Sequence, residues 1–438
     1  MAKKRKKRVS LGTVVMLVFT ACVLAGFGLI LPSFTGNQDL FIDAARLAVA
    51  MDDSFSQLTE LAEEMLPLAD APMETIVPPF TAMPEGMQSA VTPSPYPTVS
   101  PKRSFTLSAA GSVELNNDVR KALTVDKTVR YDILTDQINE AMQADLSIAT
   151  LQNTVSASNS LSGVNMSADL LTALGATGIN TLNIANTNML NFGEQGLLET
   201  AEAVSAAGMT PLGTGSHTRL SINGIEVALL HYQDRLSTTG RKQTTYEQQV
   251  RLLHPIDAAA ISADIQSIRN DGAQVIIVTL YWGESGRSLP TEEQKNIAQA
   301  LADAGADIIL GTGNGALQPV QMLTAQRGDQ KYHPVLCAYS LGNLFSPERD
   351  SRLTLASLLL KTTVVYDLST QTVAFDGLAY TPTYAWRGKQ DNRTLQRILI
   401  NDPANLPTFV DANQQGVMER CLTLVNDVMA DTAIPLGY

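Results

Sequence analysis

The stretch TEEQKNIAQALADAGADIILGTGNGALQP, residues 291–319, predicts a helix, a buried strand and a glycine loop in succession. Thr291 is suited to cap the helix, and Gly305 is suited to end it before the apolar run of the strand. The same order of helix, glycine and strand occurs earlier in the chain, at 167–186 and 261–283, and 193–213 predicts a helix closed by Gly208. This alternation indicates an α/β domain, in which functional side chains gather on the loops that follow strands.

Short β-like runs flank these units on both sides. The runs at 104–112 and 144–153 precede them, and the first of these ends in a turn of small residues. Later runs are more purely β in character: 332–345, 355–368 and 371–384. We therefore expect one α/β domain with layered sheets over 103–390, followed by a helical tail over 391–438 that packs back on it.

Charge is distributed unevenly along the 438 residues, whose net charge is −12. Residues 1–10 contain six of the 31 basic side chains and no acidic one. The rest of the chain therefore has 25 basic residues against 43 acidic ones, which is a net charge of −18. Because such a body repels phosphate groups, nucleic acid is disfavoured as a partner.

A stretch without charged residues, Leu11 to Leu31, follows the basic cluster. As a helix its 21 residues would span about 30 Å, the thickness of the hydrocarbon core of a bilayer. We expect a transmembrane anchor over 11–32, with 1–10 in the cytoplasm and the main domain outside the cell membrane. A cleaved signal peptide is the alternative. Beyond the anchor we expect an amphipathic stalk helix over 33–66, and the nine prolines of 67–102 predict a semi-extended linker.

The cysteines and histidines offer no metal motif. Cys22 falls in the apolar stretch, whereas Cys337 and Cys421 are expected to be buried free thiols, with one disulfide between them left open. No two histidines have the spacing that would place them on one helix face, and we expect each to be a structural or surface residue. The prolines next to His254 and His333 indicate turns there. The histidines are His217, His231, His254 and His333.

The glycine loop has the spacing of a nucleotide-binding fingerprint but lacks its context. Gly311, Gly313 and Gly315 follow a predicted strand, as such a fingerprint requires. However, a helix should begin directly after the glycines to hold the phosphates, and Pro319 interferes with one. No lysine or arginine stands nearby to complement a phosphate. The loop therefore does not indicate nucleotide binding.

Strand-end motifs give the chain a family resemblance. They occur in the order Gly111-Ser112, Thr150-Leu151-Gln152, Ala185-Asn186-Thr187-Asn188, Tyr281-Trp282-Gly283, Gln318-Pro319 and Ala338–Phe345. Taken in this order, they resemble the motifs of the capsule-synthesis CapA family, also called poly-γ-glutamate synthesis or PgsA-like proteins. The resemblance covers about residues 104–385 and implies a metallophosphatase-like layered sandwich (α/β/β/α). Typical members of the family carry metal ligands on the strand-end loops.

The resemblance also implies that this chain keeps the frame of the family and has lost its metal ligands. Neutral side chains stand where the family has acids or histidines: Ser112, Gln152, Asn188, Asn191, Tyr281, and Thr312 with Asn314 in the former two-histidine loop. A dinuclear centre needs carboxylates and imidazoles to balance about four positive charges. We therefore expect no metal cofactor and no metal-dependent hydrolysis. The same alignment adds further candidates along a binding cleft: Asn186, Trp282, Glu284, Gln318, Ser340 and Asn343.

Three functional hypotheses remain open. In the first, the chain is a membrane-anchored, extracytoplasmic, non-catalytic component that binds or assembles a capsule or envelope polymer such as poly-γ-glutamate, alongside the synthesis complex. The acidic body would repel a polyanion unless cations bridge the two. In the second, it is a hydrolase or transferase acting on such a polymer, with Glu284, Asp145 or Asp118 as general acid or base. In the third, it is a purely structural scaffold for other envelope proteins.

Overall fold

The computed structural model describes residues 101–437 apart from 329, 330, 350 and 391. The expected cytoplasmic tail, anchor and stalk, and the linker up to residue 100, lie outside the described residues. Within the described part of the chain, no helix combines the length and the hydropathy that a membrane span requires.

The helices of the described residues are short, and most of them connect strands. They are α1 (Asn117–Ala122), α2 (Asp132–Thr135), α3 (Asp169–Ala176), α4 (Gly193–Ala206), α5 (Thr238–Gln243), α6 (Tyr246–Leu252), α7 (Ala258–Asn270), α8 (Glu292–Ala304) and α9 (Ala412–Met429). Two 3₁₀ turns, Asp136–Ile138 and Arg352–Thr354, accompany them.

The strands form two large sheets and one small ribbon. The strands are β1 (Lys102–Val113), β2 (Thr124–Val125), β3 (Thr128–Val129), β4 (Leu146–Leu151), β5 (Thr181–Asn183), β6 (Thr210–Leu212), β7 (His217–Ile222), β8 (Ile225–Gln233), β9 (Val275–Tyr281), β10 (Ile308–Thr312), β11 (Val320–Gln326), β12 (Tyr332–Ala338), β13 (Asn343–Phe345), β14 (Ala356–Asp367), β15 (Thr372–Gln390) and β16 (Arg393–Ile400). Within the described residues, the first sheet has the order β16-β15-β14-β1-β4-β5-β6, with β13 also paired to β1. The second has the order β11-β12-β10-β9-β8-β7.

The two sheets pack face to face, with helices on their outer sides. Successive residues of β9 point to opposite faces, as the pleat of a strand requires. Val275 and Ile277 join the core shared with the first sheet, whereas Ile276 and Val278 pack with residues of α7 and α8. On the other side, α9 packs against β14 and β15. The prediction of an α/β domain with layered sheets is confirmed.

The unit that opens the sequence analysis has the predicted structure. The Thr291 side chain accepts a hydrogen bond from the Gln294 amide, and the Gln294 side chain accepts one from the Thr291 amide, so the two form a capping box at the start of α8. Gly305 ends the helix with φ 122°, in the left-handed region that favours glycine. Asp307, almost fully buried, then receives Arg269 Nη2 at 2.7 Å and Arg327 Nη1 at 2.9 Å. The Asp307 carboxylate thereby fixes the position of the chain where β10 begins.

The prediction of an entirely helical tail over 391–438 is wrong for its first part. Residues 393–400 form β16, which pairs with β15 along its length, and only α9 is helical in this segment. The apolar residues Leu395, Ile398 and Leu399 happen to have helical spacing. They form a strand because the edge of β15 offers unpaired backbone groups, and the buried Arg397 between them finds an ion pair with Asp136.

Two local predictions also need correction. The run at 104–112 does not end in a turn, because β1 continues to Val113 with β4 on one side and β13 on the other. Its small residues are needed for close packing: a Cβ at Gly111 would lie 2.1 Å from the Gly342 carbonyl oxygen. His333 lies in strand β12 and not in a turn. Pro334 is tolerated there because β10 pairs with β12 only from Leu336 onward.

The thiols are as predicted. Cys337 lies in β12 and Cys421 in α9, and both are buried and free. Burial raises the pKa of both thiols, that of Cys421 to about 11. Neither thiol is therefore a nucleophile in the folded protein.

Candidate functional site

The predicted cleft lies where the carboxyl ends of parallel strands from both sheets meet. Ser112 is the penultimate residue of β1, Gln152 follows β4, and Tyr281 ends β9. The Tyr281 hydroxyl donates to Gln152 Oε1 at 3.1 Å, so these ends of the two sheets are in direct contact. One layer deeper, the hydroxyls of Thr150 and Thr312 lie 3.2 Å apart and join the sheets again.

The side chains of the cleft are connected to one another by hydrogen bonds. Asn188 Nδ2 donates to the main-chain carbonyl oxygen of Gln152 at 3.3 Å, and Asn191 Nδ2 donates to Asn188 Oδ1 at 3.2 Å. The Ser237 hydroxyl, at the start of α5, donates in turn to Asn191 Oδ1. Four residues predicted from sequence thus form one network, Tyr281–Gln152–Asn188–Asn191, which we call the amide network.

Asn186 and Asn343 support this network from within the fold. Asn186 Nδ2 donates to the carbonyl oxygens of Leu151 and Ile184, and Asn186 Oδ1 accepts from the Asn188 amide at 2.8 Å. Asn343 lies opposite Ser112 in the β1–β13 pair. Both asparagines are buried, as are Gln152, Asn188 and Tyr281 of the network, and they hold the loops in place.

The glycine loop is stabilised by polar side chains that are fully engaged inside the protein. Asn314 Oδ1 accepts from the Ser340 hydroxyl at 2.7 Å, and Asn314 Nδ2 donates to the Arg287 carbonyl oxygen at 2.9 Å. Gln318 Nε2 donates to the Leu289 carbonyl oxygen at 3.0 Å. The three side chains Asn314, Ser340 and Gln318 are at most 1% exposed. They anchor the neighbouring loop 284–291 and present no free group to a ligand.

Trp282 and Glu284 lie apart from the amide network. Trp282 follows Tyr281 and therefore points to the opposite face of the sheet, where it is 2% exposed and donates from Nε1 to the Tyr339 carbonyl oxygen at 2.8 Å. Glu284 is exposed and pairs with Arg287 at 2.7 Å. Both residues border a cavity of about 280 Å³ on the α8 side of the sheet, and Asp234 and Arg235 line the same cavity.

The other two acids considered as general acid or base are engaged in local contacts. Asp145 precedes β4, at the amino end of the strand, and accepts from the Thr106 amide at 2.7 Å. Asp118 is an exposed residue of α1 that pairs with Lys121 at 3.6 Å.

Glu114 is a residue of the cleft that the motifs did not indicate. It lies two residues beyond Ser112, directly after the end of β1, and its amide donates to the Phe345 carbonyl oxygen at 2.9 Å. Burial raises the pKa of Glu114, the nearby Glu348 raises it further, and a hydrogen bond with Asn188 acts in the opposite direction. The signal in the sequence was a carboxylate only two residues after Ser112, where the family has an acid.

Asp234 and Arg235 also reach the cleft, at the end of β8. Burial raises the pKa of Asp234, although Arg235 Nε lies 2.9 Å from its carboxylate. The Arg235 guanidinium lies over the Tyr281 ring, 5.8 Å from its centroid. Burial also raises the pKa of Tyr281, so that its hydroxyl remains a neutral hydrogen-bond donor.

Two histidines that are distant in sequence lie together in the structure. The rings of His231 and His254 are 4.9 Å apart and nearly perpendicular. His231 is 2% exposed and its Nε2 has no hydrogen-bond partner among the described residues. Burial, assisted by His254, lowers the pKa of His231 to about 3, so this ring is neutral. It is a core residue beneath the cleft.

The donor chemistry of the cleft does not fit a dinuclear metal centre. The amide network supplies carboxamides and a phenol that stays protonated, and the Ser112 hydroxyl beside it is buried without a partner. Among the described residues, no group of three or more His, Cys, Asp or Glu side chains is placed to hold a metal ion. Hydrogen bonding to a neutral or polar chain is the chemistry that these groups offer.

Comparison with known families identifies the family of the chain. The family model described as "Bacterial capsule synthesis protein PGA_cap" matches residues 106–348, more than half of the chain. The protein belongs to this bacterial capsule synthesis family, and the resemblance predicted from the strand-end motifs is confirmed.

Two curated relatives are similar to part of the chain. The chain is 27% identical over 178 residues to the "Capsule biosynthesis protein CapA" of Bacillus anthracis, covering 39% of this chain and 41% of the relative. It is 26% identical over 185 residues to the "PGA biosynthesis protein CapA" of Bacillus subtilis strain 168, covering 39% and 45%. The matched region thus spans less than half the length of each relative.

Solved structures show weaker similarity. A structure described as a novel phosphatase from Mycoplasma pneumoniae aligns with a TM-score of 0.39 and 13% identity, covering 64% of this chain and 93% of the other. The Thermus thermophilus sulfate thiohydrolase SoxB aligns with a TM-score of 0.34 and 11% identity, covering 74% and 61%.

Proposed function

We propose that this protein is a membrane-anchored, extracytoplasmic component of capsule or related envelope polymer synthesis, and that its α/β domain binds or assembles the polymer without hydrolysing it. The amide network is the observation that carries the proposal. It occupies the strand-end positions where the family resemblance implies metal ligands, and its members are neutral and hydrogen-bonded to each other. We also infer that the layered sandwich is the metallophosphatase-like fold of the family.

The network suits a polymer with amide or hydroxyl groups. Carboxamides both donate and accept hydrogen bonds, and the Tyr281 hydroxyl is kept protonated by burial. A polymer segment can replace some of the bonds within the network without leaving a buried charge unpaired. The N-terminal basic cluster and apolar stretch support the anchored, extracytoplasmic placement.

The test combines polymer production in cells with biochemistry of the purified full-length protein in detergent. Asn188→Ala and Tyr281→Phe should reduce surface polymer several-fold at unchanged protein level, because they remove bonds of the network. Ser216→Ala, which changes an exposed loop serine, is the matched control and should have no effect. Stoichiometric tightly bound Mn, Fe or Zn, together with turnover of a phosphoester or γ-glutamyl peptide, would overturn the non-catalytic proposal.

A hydrolase or transferase is the second candidate function, and Glu114 favours it. A carboxyl group with a raised pKa at the end of a strand has the property required of a general acid. Under this alternative, Glu114→Gln abolishes turnover of the polymer in vitro, whereas Glu284→Gln, on the exposed loop, leaves it unchanged.

A further inference from the structure

Helix α6 presents an apolar pair of side chains to solvent. Tyr246 is 81% exposed and Val250 is 62% exposed. Because they are four residues apart, they lie side by side on one face of the helix. Single exposed apolar side chains are common on protein surfaces, but two large ones placed together on one element indicate a surface that contacts a partner.

Polar contacts hold α6 in place, so the direction of this pair is fixed. On one side, Arg251 Nη2 donates to Glu194 Oε2 of α4 at 2.7 Å, and Gln248 Nε2 donates to the same oxygen at 3.1 Å. On the other side, Gln249 Nε2 donates to the Arg241 carbonyl oxygen at 3.2 Å. The second half of α5 therefore lies against this other side of α6.

The end of α5 brings two cations next to the apolar pair. Gln249 is three residues beyond Tyr246, hence on the same side of α6, and it contacts Arg241. Arg241 and Lys242 are both exposed. The Arg241 Nε–H donates to the Leu236 carbonyl oxygen at 3.1 Å, which is a bond to a neutral group. Within the described part of the chain, neither cation lies within ion-pair distance of a carboxylate.

We call these four side chains the amphipathic corner: Arg241, Lys242, Tyr246 and Val250. One acid borders it, because the exposed Glu247 lies about 100° round the helix from Tyr246, on the side of Arg251. Glu194, the acid on the neighbouring helix, is already paired with Arg251 at 2.7 Å. The corner is thus apolar and cationic, in a chain whose net charge beyond residue 10 is −18.

This chemistry matches the surface of an anionic lipid bilayer. A tyrosine ring with its hydroxyl suits the boundary between acyl chains and headgroups. Lysine and arginine lay their aliphatic stems along apolar material while their charges meet lipid phosphates. Since the rest of the chain is acidic, an anionic bilayer repels it and attracts the corner, so one orientation of the domain is selected.

A bilayer is also the partner that the proposed function keeps within reach. That proposal places the uncharged stretch 11–31 in the membrane. For a tethered domain a second contact with the same membrane is intramolecular in effect. Two apolar side chains and two cations are then sufficient, although each contributes little.

We propose that the amphipathic corner docks the domain on the headgroup region of an anionic lipid bilayer. The inference rests on the proposed function and deepens it, because it gives the cleft a position relative to the membrane. Ser237, at the start of α5, donates from its hydroxyl to Asn191 Oδ1 of the amide network. Helix α5 thus joins the corner to the cleft, and docking holds the amide network beside the membrane.

The test uses the full-length protein in lipid nanodiscs with brominated acyl chains, because bromine quenches the fluorescence of a tryptophan that reaches them. The two native tryptophans, Trp282 and Trp386, are at most 2% exposed and supply a constant background. Tyr246→Trp places a reporter in the corner.

Tyr332→Trp is the matched control reporter. Tyr332 is 74% exposed and is the first residue of β12, at the amino end of the parallel strands of the second sheet. Helices α5 and α6 follow the carboxyl end of β8 in the same sheet. The two reporters therefore lie at opposite ends of the strands, and one flat bilayer cannot contact both.

In discs of equal parts phosphatidylglycerol and phosphatidylcholine, bromine should quench the Tyr246→Trp reporter at least about threefold more than the Tyr332→Trp reporter. This difference should fall by at least about half in discs of phosphatidylcholine alone, and also at high salt, because the attraction between the cations and the lipid phosphates is then absent or screened.

A second pair of variants tests the composition of the corner. Adding Lys242→Gln and Val250→Ser to the Tyr246→Trp reporter should abolish the extra quenching. Adding Lys361→Gln and Leu368→Ser, at an exposed lysine and an exposed leucine elsewhere, should leave it unchanged. Thermal unfolding checks that all variants are folded.

Equal quenching of the two reporters would overturn the proposal, and so would quenching that is the same in neutral and anionic discs. A blue shift of the Tyr246→Trp emission without quenching by bromine, together with a mass that rises with protein concentration, would overturn it as well, because a second copy would then cover the corner.

Failure of this inference is distinct from failure of the proposed function. If the Tyr246→Trp reporter is not quenched while the amide-network variants lose surface polymer, the docking surface is wrong and the proposed function stands. If the reporter is quenched as expected while the amide-network variants keep the wild-type level of surface polymer, the reverse is true.

Discussion

Single residues with similar chemistry have very different roles in this domain. Asp307 is almost fully buried and neutralised by two arginines, whereas Asp271 is an exposed residue whose partner Arg219 lies at 4.0 Å. If either the buried carboxylate or its arginine partners are removed, an uncompensated charge remains in the protein interior, where water does not solvate it. The energetic importance of an ion pair here is set by burial.

Asp307→Ala is therefore expected to lower the free energy of unfolding by about 3–5 kcal/mol, because it leaves Arg269 and Arg327 without their shared carboxylate. Asp271→Ala, the matched surface control, should cost less than about 1 kcal/mol. Urea denaturation monitored by circular dichroism measures both. Similar small losses for the two variants would show that Asp307 is not a structural clamp.

Glu114 should make the stability of the fold depend on pH in a direction opposite to that of a salt-bridged acid. Because burial raises its pKa above the usual 4.5, the folded state holds the proton more tightly than the unfolded state. The stability associated with this group is thus fully present below about pH 4.5 and is lost as the pH rises through the folded pKa.

Glu114→Gln keeps the shape and removes the charge, so the variant should be more stable than the wild type at pH 7 and equally stable at about pH 4. Denaturation curves at the two pH values measure the difference. Glu284→Gln, an exposed acid on the loop after β9, should change stability by less than about 0.5 kcal/mol at either pH. A Glu114 variant that is less stable at pH 7 would contradict the assignment.

At the scale of elements, the parts of the fold that local chemistry determines could be predicted from the sequence. The α8–β10 unit is specified by the capping residue Thr291, the left-handed Gly305 and an apolar run. Strand β16 was missed because its apolar residues have helical spacing, and its state depends on the edge of β15, which a local pattern does not contain. Tertiary context overrides local pattern in such segments.

The candidate site shows the same division. The strand-end motifs located the amide network, since the carboxyl ends of parallel strands meet at one edge. They also included Trp282, which alternation places on the other face. The contact of His231 with His254 could not be predicted from the sequence, because the fold brings together two residues that are 23 positions apart.

Glycines at the crossing points of elements cannot carry a side chain. A Cβ at Gly311 would lie 2.0 Å from the Tyr339 carbonyl oxygen and 2.5 Å from Trp282 Nε1. Gly311→Ala is therefore expected to lower the free energy of unfolding by about 1–3 kcal/mol. Gly175, in helix α3, has no atom within 4 Å of its Cβ position, so Gly175→Ala should stabilise the domain by about 0.5–1 kcal/mol. Thermal unfolding distinguishes the two, and a tolerated Gly311→Ala would contradict the described packing.

At the scale of the whole molecule, one core joins both sheets, so the two buried thiols should report a single cooperative transition. Cys337 belongs to the second sheet and Cys421 to the helix that covers the first. In a Cys22→Ser background, neither should react with a thiol reagent such as DTNB under native conditions, and both should react together as denaturant is added. Reaction of one thiol well before the other would show that the sheets unfold separately.

Strand β1 carries a mechanical consequence. It begins at Lys102, where the preceding chain joins the domain, and runs through twelve residues to the cleft, with β14 antiparallel on one side and β4 parallel on the other. Tension applied through the preceding chain acts along this strand, so its hydrogen bonds are loaded in shear and must break together and not one at a time. The hydrogen bonds of β1 with β14 and β4, along a strand of about 35 Å, therefore resist a force applied at its amino end before that force acts on the loops that hold the amide network.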